Sequence, residues 1–236
     1  MKRSEGACLI CGAPLVYFQE AREMECSLCH RKFPSNAQCE EGHFICDECH
    51  SKKGIEAVME GCRKSASKNP IEILHSLMED PFVYMHGPEH HVMVGAALLT
   101  AYRNAGGELD LEHALAEMNQ RGQQVPGGAC GFWGCCGAAV STGIFVSIIT
   151  GSSPLSGKSW GLCNEMTSRS LAALAAVGSP RCCKRNSFLS TIEAVKFAQE
   201  KLGVSMELPE KIQCDFFPEN QQCLRKKCPF NPLHQG

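Results

Sequence analysis

The stretch Cys39-Glu-Glu-Gly-His43-Phe-Ile-Cys46-Asp-Glu-Cys49 decides the N-terminal fold, because it sets four soft metal ligands at short, regular spacings. Two Cys-x-x-Cys pairs precede it, Cys8/Cys11 and Cys26/Cys29. Each pair holds its sulfurs about 3.5–4 Å apart, the edge of a tetrahedron around Zn²⁺ with bonds of about 2.3 Å. Four such edges predict two zinc ions. A module this small buries little apolar surface, so metal binding must supply much of its folding free energy.

The same stretch resembles the middle of a RING or treble-clef finger, in which a Cys/His edge and the following Cys-x-x-Cys edge serve different metals. The resemblance implies a cross-brace with two ligand groups, namely Cys8, Cys11, Cys39 and His43 for one ion and Cys26, Cys29, Cys46 and Cys49 for the other. A sequential pairing stays open, with a ribbon from the first four ligands and a knuckle from the last four. Treble clefs serve many functions, so ubiquitin-ligase activity does not follow.

Composition narrows the class of protein. The 236 residues include 17 cysteines and carry a net charge of −2. The start, Met1-Lys-Arg-Ser-Glu-Gly-Ala-Cys8, lacks the apolar run of a signal peptide, so thiols at metal spacings predict a reducing cytoplasm. The most apolar segment, 138–150, is too short to span a membrane. The slight negative charge argues against a broadly basic surface for nucleic acid.

The chain divides into a zinc module at 1–60 and a cysteine-rich domain at 61–236, because apolar periodicity after residue 60 is helical. Helices are predicted from Asn69-Pro70 to Asp80, from Pro88 to Asn104, from Asp110 to Gly122, from near Gly137, from Ser156 to Val177 and from Ser187 to Leu202. Strand signals are confined to short runs such as Lys211–Phe217. The predicted fold class is therefore mostly α, with a small treble-clef-like module in front.

Cysteines of the main domain lie in glycine-rich turns, where backbone N–H groups can approach a cluster sulfur. They supply enough thiolates for a [4Fe–4S] cluster, and three ligands would leave one iron open as a Lewis acid. Buried structural cysteine is the alternative. The candidate cluster ligands are Cys130, Cys135, Cys136, Cys163, Cys182 and Cys183.

The turn Gly178-Ser-Pro-Arg-Cys182-Cys-Lys-Arg185-Asn186 resembles the Pro-x-Cys-x-x-Arg-Asn turn of iron–sulfur L-serine dehydratases and cysteine desulfidases. The run Gly134-Cys135-Cys136-Gly137 is similar to their Gly-Cys turn before a small-residue helix. His90-His91-Val-Met-Val-Gly95 is similar to their Ser-His-x-x-Gly segment. The resemblance implies that Cys182 ligates a [4Fe–4S] cluster and that the reaction is elimination. The His-Gly-Pro-x-His-His and Gly-Gly-x-Cys-Gly-Phe-x-Gly patterns also resemble an uncharacterised prokaryotic cysteine-rich family.

Candidate catalytic residues surround the same turns. His86, His90 and His91 flank Gly87-Pro88 at the start of a predicted helix and could move a proton or bind a metal. A hydrogen-bonded structural turn is the competing interpretation. Arg185 could grip a substrate carboxylate through a bidentate contact.

The C-terminal residues Cys214, Cys223, Cys228 and His234 approximate a Cys-Cys-Cys-His zinc finger and could hold a third zinc ion. Fingers of this type often bind single-stranded RNA with nearby aromatics, here Phe216, Phe217 and Phe230. Alternatively, Cys223 and Cys228-Pro229 ligate a cluster, since a Cys-Pro turn is common beside iron–sulfur sites.

Together these features predict a cytoplasmic metalloprotein with two or three zinc ions. Its function would be an iron–sulfur-dependent lyase or sulfur-chemistry reaction on a small polar molecule. Two rivals stay open: a non-enzymatic zinc and iron–sulfur adaptor that docks to a partner enzyme, and an accessory protein that binds or modifies RNA. The sequence predicts no membrane partner and leaves the oligomeric state open.

Overall fold

The computed structural model describes residues 7–233, and the predicted mostly α fold class is confirmed. The strands are β1 (Leu15–Glu25) and β2 (Lys32–Cys39). The helices are α1 (Asp47–Lys64), α2 (Pro70–Met78), α3 (Glu89–Asn104), α4 (Leu111–Gly122), α5 (Ala129–Phe132), α6 (Gly137–Ile149), α7 (Lys158–Val177) and α8 (Cys183–Phe197). A π-helical turn (Ala198–Leu202) extends α8, and a 3-10 turn (Arg225–Lys227) lies near the C-terminus.

Strands β1 and β2 form an antiparallel hairpin inside the N-terminal module. Leu15 pairs with Cys39 and Tyr17 with Ala37, and the register shifts after Tyr17. Sequence analysis missed this hairpin, because its strands carry charged and polar residues on both faces rather than an alternating apolar pattern. The strand signals at Lys211–Phe217 were misleading, since that segment has no regular strand. The hairpin brings metal-ligand pairs to both of its ends.

Helix α1 joins the module to the helical domain without a linker. Cys46 is its N-cap residue and Cys49 lies in its first turn, while Val58 and Cys62 are fully buried in the main core. A Cβ on Gly54 would approach the Phe82 carbonyl oxygen to 2.5 Å, so glycine permits close packing of α1 against the 80–86 loop. The expected domain boundary near residue 60 therefore falls inside one continuous helix.

The core is built around α3, whose residues are almost all buried. Helices α1, α2, α4, α6 and α8 pack around it. Small residues permit close approach of α3 to α6, where the Gly95 backbone N–H donates to Ser141 Oγ at 2.8 Å. No helix in the described range 7–233 combines the length and apolarity needed to cross a membrane.

Helix ends follow the predicted caps closely. The Asn69 side chain accepts hydrogen bonds from the Ile71 and Glu72 backbones, and Asp110 accepts one from His113. Helix α8 begins at Cys183 rather than at the predicted Ser187, because Cys182 acts as its N-cap and its sulfur accepts from the Arg185 N–H. This earlier start places the 182–186 turn at the head of a buried helix.

The segment 203–233 returns across the helices without regular strands. The Glu207 N–H donates to the Lys68 carbonyl at 2.9 Å, and the Cys214 N–H donates to the Phe230 carbonyl at 2.8 Å. Phe230 packs edge-on against Phe188 of α8, with ring centroids 5.4 Å apart. The segment therefore carries its cysteines to the N-terminal end of α8.

Candidate metal centres

The first ligand group lies at the open end of the hairpin. Cys8 and Cys11 precede β1, Cys39 is the last residue of β2, and His43 follows it; their ligand atoms all lie within 4.8 Å of one another. The Cys11 and Cys39 sulfurs are 3.4 Å apart, close to a zinc tetrahedron edge. His43 Nδ1 is buried and has no hydrogen-bond partner in the described part of the chain. These four residues can hold one metal ion.

The second group connects the hairpin turn to α1. Cys26 and Cys29 lie in the turn between the strands, and Cys46 and Cys49 lie at the start of α1, again within 4.8 Å of one another. The Cys29 and Cys46 sulfurs are 3.8 Å apart. The two groups are therefore those of the cross-brace, and the sequential pairing does not fit the geometry.

Backbone N–H groups stabilise some of these sulfurs as thiolates, whereas burial raises the pKa of Cys46 and raises that of Cys49 to about 12. The Ile10 N–H donates to Cys8 Sγ at 3.4 Å, and the Glu41 N–H donates to Cys39 Sγ at 3.3 Å. Burial raises the pKa of Cys26, but backbone N–H groups that include that of Cys46 outweigh it and lower the pKa to about 6. Metal ligation requires the deprotonated sulfur, so these contacts favour metal binding.

A third assembly of cysteines lies in the helical domain. Cys182, at the head of α8, and three residues of the C-terminal segment, Cys214, Cys223 and Cys228, line one narrow cavity. The sequence spacing predicts Cys182 in one site and the other three cysteines in another. The structure brings them together because the 203–233 segment folds back onto α8. We call these residues the four-cysteine site.

Each sulfur of the four-cysteine site accepts a backbone N–H from a residue shortly after it. The Arg185 N–H reaches Cys182 Sγ at 3.4 Å, and the Arg225 N–H reaches Cys223 Sγ at 3.3 Å. The Phe216 and Phe230 backbones donate to Cys214 and Cys228. Four sulfurs that line one cavity, each with one such donor, can stabilise a bound anion.

Buried cations and amides complete the cradle. Lys184 is fully buried, with its Nζ 4.9 Å from the Phe216 ring centroid, and Arg185 is 4% exposed. Asn231 is also buried; its Oδ1 accepts from the Leu233 N–H, and its Nδ2 has no partner among residues 7–233. The cavity thus offers positive charge and a spare N–H donor to whatever the sulfurs hold.

Burial disfavours the thiolate form at three sulfurs of this site. Burial raises the pKa of Cys214 to about 12 and also raises the pKa values of Cys182 and Cys228, against the opposing effect of their N–H donors. Such thiols are poor nucleophiles by themselves. A bound metal or cluster would displace their protons, so the geometry suits ligation rather than direct thiol catalysis.

Cys183 faces a different set of residues from its neighbour Cys182. Its sulfur accepts the Gly87 N–H, and burial raises its pKa to about 12, with the nearby Cys136 adding to the rise. Asn186 Nδ2 donates to Cys136 Sγ at 3.5 Å. Cys136 of the 135–136 turn therefore lies near Cys183 of the 182–183 turn.

The three candidate histidines are engaged in structural hydrogen bonds. His86 Nδ1 accepts the Cys183 N–H at 3.4 Å, and its Nε2 lies 3.2 Å from Asn220 Oδ1. His90 Nδ1 lies 3.1 Å from the Gly87 carbonyl, and His91 Nδ1 lies 2.9 Å from the Val125 carbonyl. Burial lowers the pKa of all three, so they are neutral at pH 7.

Arg185 is also committed to the fold. Its Nη2 donates to the Gly178 and Pro180 carbonyls at 2.8 and 3.0 Å, and its Nε donates to Asn186 Oδ1 at 3.2 Å. These bonds hold the 178–182 turn against α8. A guanidinium used in this way stabilises the turn and adds positive charge beside the sulfurs; its Nε and Nη2 edge is already occupied by these bonds.

The remaining candidates lie apart from the four-cysteine site. Cys130 is in α5 and Cys163 in α7, where its carbonyl accepts from Thr167 Oγ1, and neither lines the cavity. Cys135 lies beside Cys136, and burial raises its pKa. His234 lies outside the described residues. Sequence analysis missed Lys184, Asn220 and Asn231, because lone polar residues without ligand spacing carry no signal of burial at a site.

Comparison with known proteins places most of the helical domain in one family. The model of a family of unknown function, DUF5714, matches residues 58–231. The match begins inside α1 and includes the four-cysteine site but not the N-terminal ligand groups. No curated protein and no solved structure matches the chain.

Proposed function

The chain belongs to the DUF5714 family, and we propose that it is a cytoplasmic iron–sulfur enzyme that catalyses a sulfur-chemistry reaction on a small polar molecule. In this proposal Cys182, Cys214, Cys223 and Cys228 hold a [4Fe–4S] cluster, and the N-terminal ligand groups hold two structural zinc ions. One observation carries the proposal: four cysteine sulfurs line a single buried cavity, each with its own backbone N–H donor.

The spacing of these sulfurs favours a cluster over a single ion. Among residues 7–233, only the two N-terminal groups bring three or more ligand atoms within 4.8 Å of one another. Four sulfurs around one zinc ion are about 3.8 Å apart. Four sulfurs that each bind a different corner of an iron–sulfur cube lie farther apart. We therefore assign the cluster to the wider set at the four-cysteine site, where its insertion must widen a cavity of about 10 Å³, and zinc to the two tighter sets.

The charge of the surroundings supports the same assignment. A [4Fe–4S] cluster with four thiolate ligands is an anion, and an anion inside a protein needs charge compensation. Lys184 and Arg185 supply two buried cations at the cavity wall. The spare Asn231 Nδ2 donor and the Asn220 Nδ2 donor, which reaches Cys182 Sγ at 3.3 Å, match the hydrogen bonds that tune cluster sulfurs.

The number of ligands bears on the reaction. The predicted elimination, by analogy with L-serine dehydratases, needs a cluster with three thiolates and one open iron. Four cysteine ligands would leave no iron open, which favours electron transfer over Lewis-acid elimination, and the Cys183 thiol, with Cys136 nearby, lies beside Cys182. The cluster would supply one-electron reduction and oxidation, while the protein positions these thiols through Asn186 and Gly87. Thiols in this number require a reducing compartment.

The adaptor and RNA-binding rivals make different demands on the same residues. Phe216 and Phe230 are 8% and 6% exposed and belong to the core, so they offer no faces for stacking bases. This arrangement disfavours RNA binding. A zinc-only form of the adaptor rival would hold a third zinc ion in the four-cysteine site, and metal content separates that form from the enzyme.

Anaerobic purification with metal and acid-labile sulfide analysis tests the proposal. We expect about two zinc, about four iron and about four sulfide per chain, and absorbance near about 400 nm from thiolate-to-iron charge transfer. Serine substitution of Cys182, Cys214 or Cys228 should remove the iron and the colour. Cys130→Ser and Cys163→Ser are matched controls that should retain both.

Colour that survives Cys214→Ser but disappears in Cys136→Ser would move the cluster to the glycine-rich turn and restore an open-iron lyase. Anaerobic protein that carries about three zinc and remains colourless after reconstitution with iron and sulfide would reject the cluster and favour the adaptor.

A further inference from the structure

A cavity of about 430 Å³ lies where the hairpin meets the helical domain. The hairpin face with Tyr17 forms one wall, and the start of α1 with Asp47 forms another. The 81–85 loop with Tyr84 and the C-terminal segment with Glu219 close the far side. We call this space the junction cavity. Its volume lies in the range of small-molecule sites, about 300–1,000 Å³.

The lining of the junction cavity is one-sided in charge. It includes Asp47 and Glu219, and among residues 7–233 no lysine or arginine lines it. Neither carboxylate forms an ion pair with any residue in the described part of the chain. Cys8 and His43 of the first metal group also reach the cavity. Three thiolates on a divalent ion leave a net negative charge there, so the cavity favours a cation.

Aromatic rings form much of the remaining wall. Tyr17 and Phe44 lie on the side of the module, and Tyr84 lies on the side of the helical domain. Tyr84 is fixed in place, because its ring stacks on the buried His50 ring at 3.5 Å with an interplanar angle of 6°. Tyr17 is 71% exposed and is available for a ligand. Faces of tyrosine and phenylalanine rings attract cations.

From this combination we infer that the junction cavity binds an organic cation, a primary ammonium or guanidinium group on an alkyl stem. The carboxylates pair with the charged head, and the aromatic and aliphatic wall covers the stem. The cation is either a free amine or a lysine or arginine side chain of a peptide. The site is distinct from the four-cysteine site and does not require a cluster.

The test uses the full-length, zinc-loaded chain and two nearly isosteric probes. Nα-acetyl-lysine methylamide carries the ammonium, and Nα-acetyl-norleucine methylamide carries the same kind of stem without it. In NMR titrations we expect the lysine probe to bind roughly tenfold or more tightly than the norleucine probe. A higher salt concentration should weaken the binding of the lysine probe and leave that of the norleucine probe unchanged. Pentylamine, which carries the ammonium and the stem without a peptide backbone, distinguishes the two sources. Affinity equal to that of the lysine probe indicates a free amine, and much weaker binding indicates a peptide.

Two variants locate the binding. Glu219→Gln keeps the shape of the side chain and should weaken the lysine probe roughly tenfold, whereas Glu210→Gln, on the exposed surface, should leave it unchanged. Tyr17→Leu should weaken binding of the lysine probe roughly threefold. Because Tyr17 is exposed, this substitution should not destabilise the fold. Equal binding of the lysine and norleucine probes, or no binding of either at millimolar concentration, would overturn the inference. Loss of affinity in Glu210→Gln as large as in Glu219→Gln would also overturn it.

Discussion

Asn220 donates its Nδ2–H to the Cys182 sulfur at 3.3 Å, and the same side chain accepts from His86 through its Oδ1 at 3.2 Å. His86 Nδ1 in turn accepts the backbone N–H of Cys183 at 3.4 Å. Since Nδ1 is an acceptor, the proton of the neutral ring is on Nε2. Two consecutive cysteines, whose sulfurs face different neighbours, are thus joined by a closed chain of hydrogen bonds.

Removing the central member of that chain should destabilise the helical domain. Asn220→Ala leaves His86 Nε2 without its acceptor and Cys182 without its amide donor, so we expect the free energy of unfolding to fall by about 2 kcal/mol. Urea denaturation followed by circular dichroism measures the change. Asn164→Ala, at an exposed position of α7, is the control and should be neutral. A loss below about 0.5 kcal/mol would mean that water replaces Asn220 at no cost.

The cross-brace predicts how the N-terminal module responds to loss of one ligand. Cys46→Ser should remove one zinc equivalent and loosen the hairpin turn, because the second group connects that turn to α1. Metal analysis and limited proteolysis of residues 7–50 report the two effects. Cys163→Ser, which lies in α7, should change neither. Retention of both zinc equivalents by Cys46→Ser would contradict the ligand assignment.

Glycine at position 137 is required by packing rather than by its backbone angles. A Cβ there would overlap the imidazole ring of His91, whose Nδ1 bonds the Val125 carbonyl. We expect Gly137→Ala to lower the free energy of unfolding by about 1–3 kcal/mol. The control is Gly161→Ala in α7, where nothing lies within 4 Å, so higher helix propensity should make it neutral or stabilising. Equal stability of the two variants would reject the overlap.

His90 should make the stability of the fold depend on pH. Burial holds its folded-state pKa well below the usual value of about 6.5, and its Nε2 is buried without a partner within residues 7–233. As the pH falls below about 6.5, His90 binds a proton in the unfolded chain but stays neutral in the folded chain. The free energy of unfolding therefore falls by up to about 1.4 kcal/mol per pH unit.

The matched comparison is urea denaturation of the parent, His90→Gln and His113→Gln chains at pH 7.0, 6.0 and 5.5. His113 is exposed and serves as the control. His90→Gln should show a shallower loss of stability toward low pH than the other two chains. Parallel curves for all three would show that His90 does not contribute.

Arg185 is expected to contribute mainly to the stability of the fold rather than to substrate binding. Arg185→Ala removes hydrogen bonds to the Gly178 and Pro180 carbonyls in a buried site, so the free energy of unfolding should fall by about 3 kcal/mol. Arg185→Lys keeps the charge but loses the planar guanidinium, so its free energy of unfolding should lie between those of the parent and Arg185→Ala. Arg181→Ala, at an exposed neighbour, is the control. A fully stable Arg185→Ala chain would return the residue to a substrate-binding role.

The features that could be predicted from the sequence are those that depend on residues close together in the chain. Metal-ligand spacing in the first 49 residues depends on short turns, and the helix boundaries at Asn69 and Asp110 depend on caps a few residues long. Both are properties of neighbouring residues, so they can be predicted without a tertiary structure. The hairpin was not predicted because its strands lack an alternating apolar pattern, and its candidate metal ligands lie only at its ends.

Only the tertiary structure decided which cysteines meet. Cys182 and Cys214 are separated by all of α8 and the turn after it, and they share a cavity because the C-terminal segment packs Phe230 against Phe188. Likewise, Cys182 and Cys183 are adjacent in sequence but face different neighbours, since they lie at the first turn of a buried helix. Contacts between distant residues are set by the packing of whole elements, which no local spacing specifies.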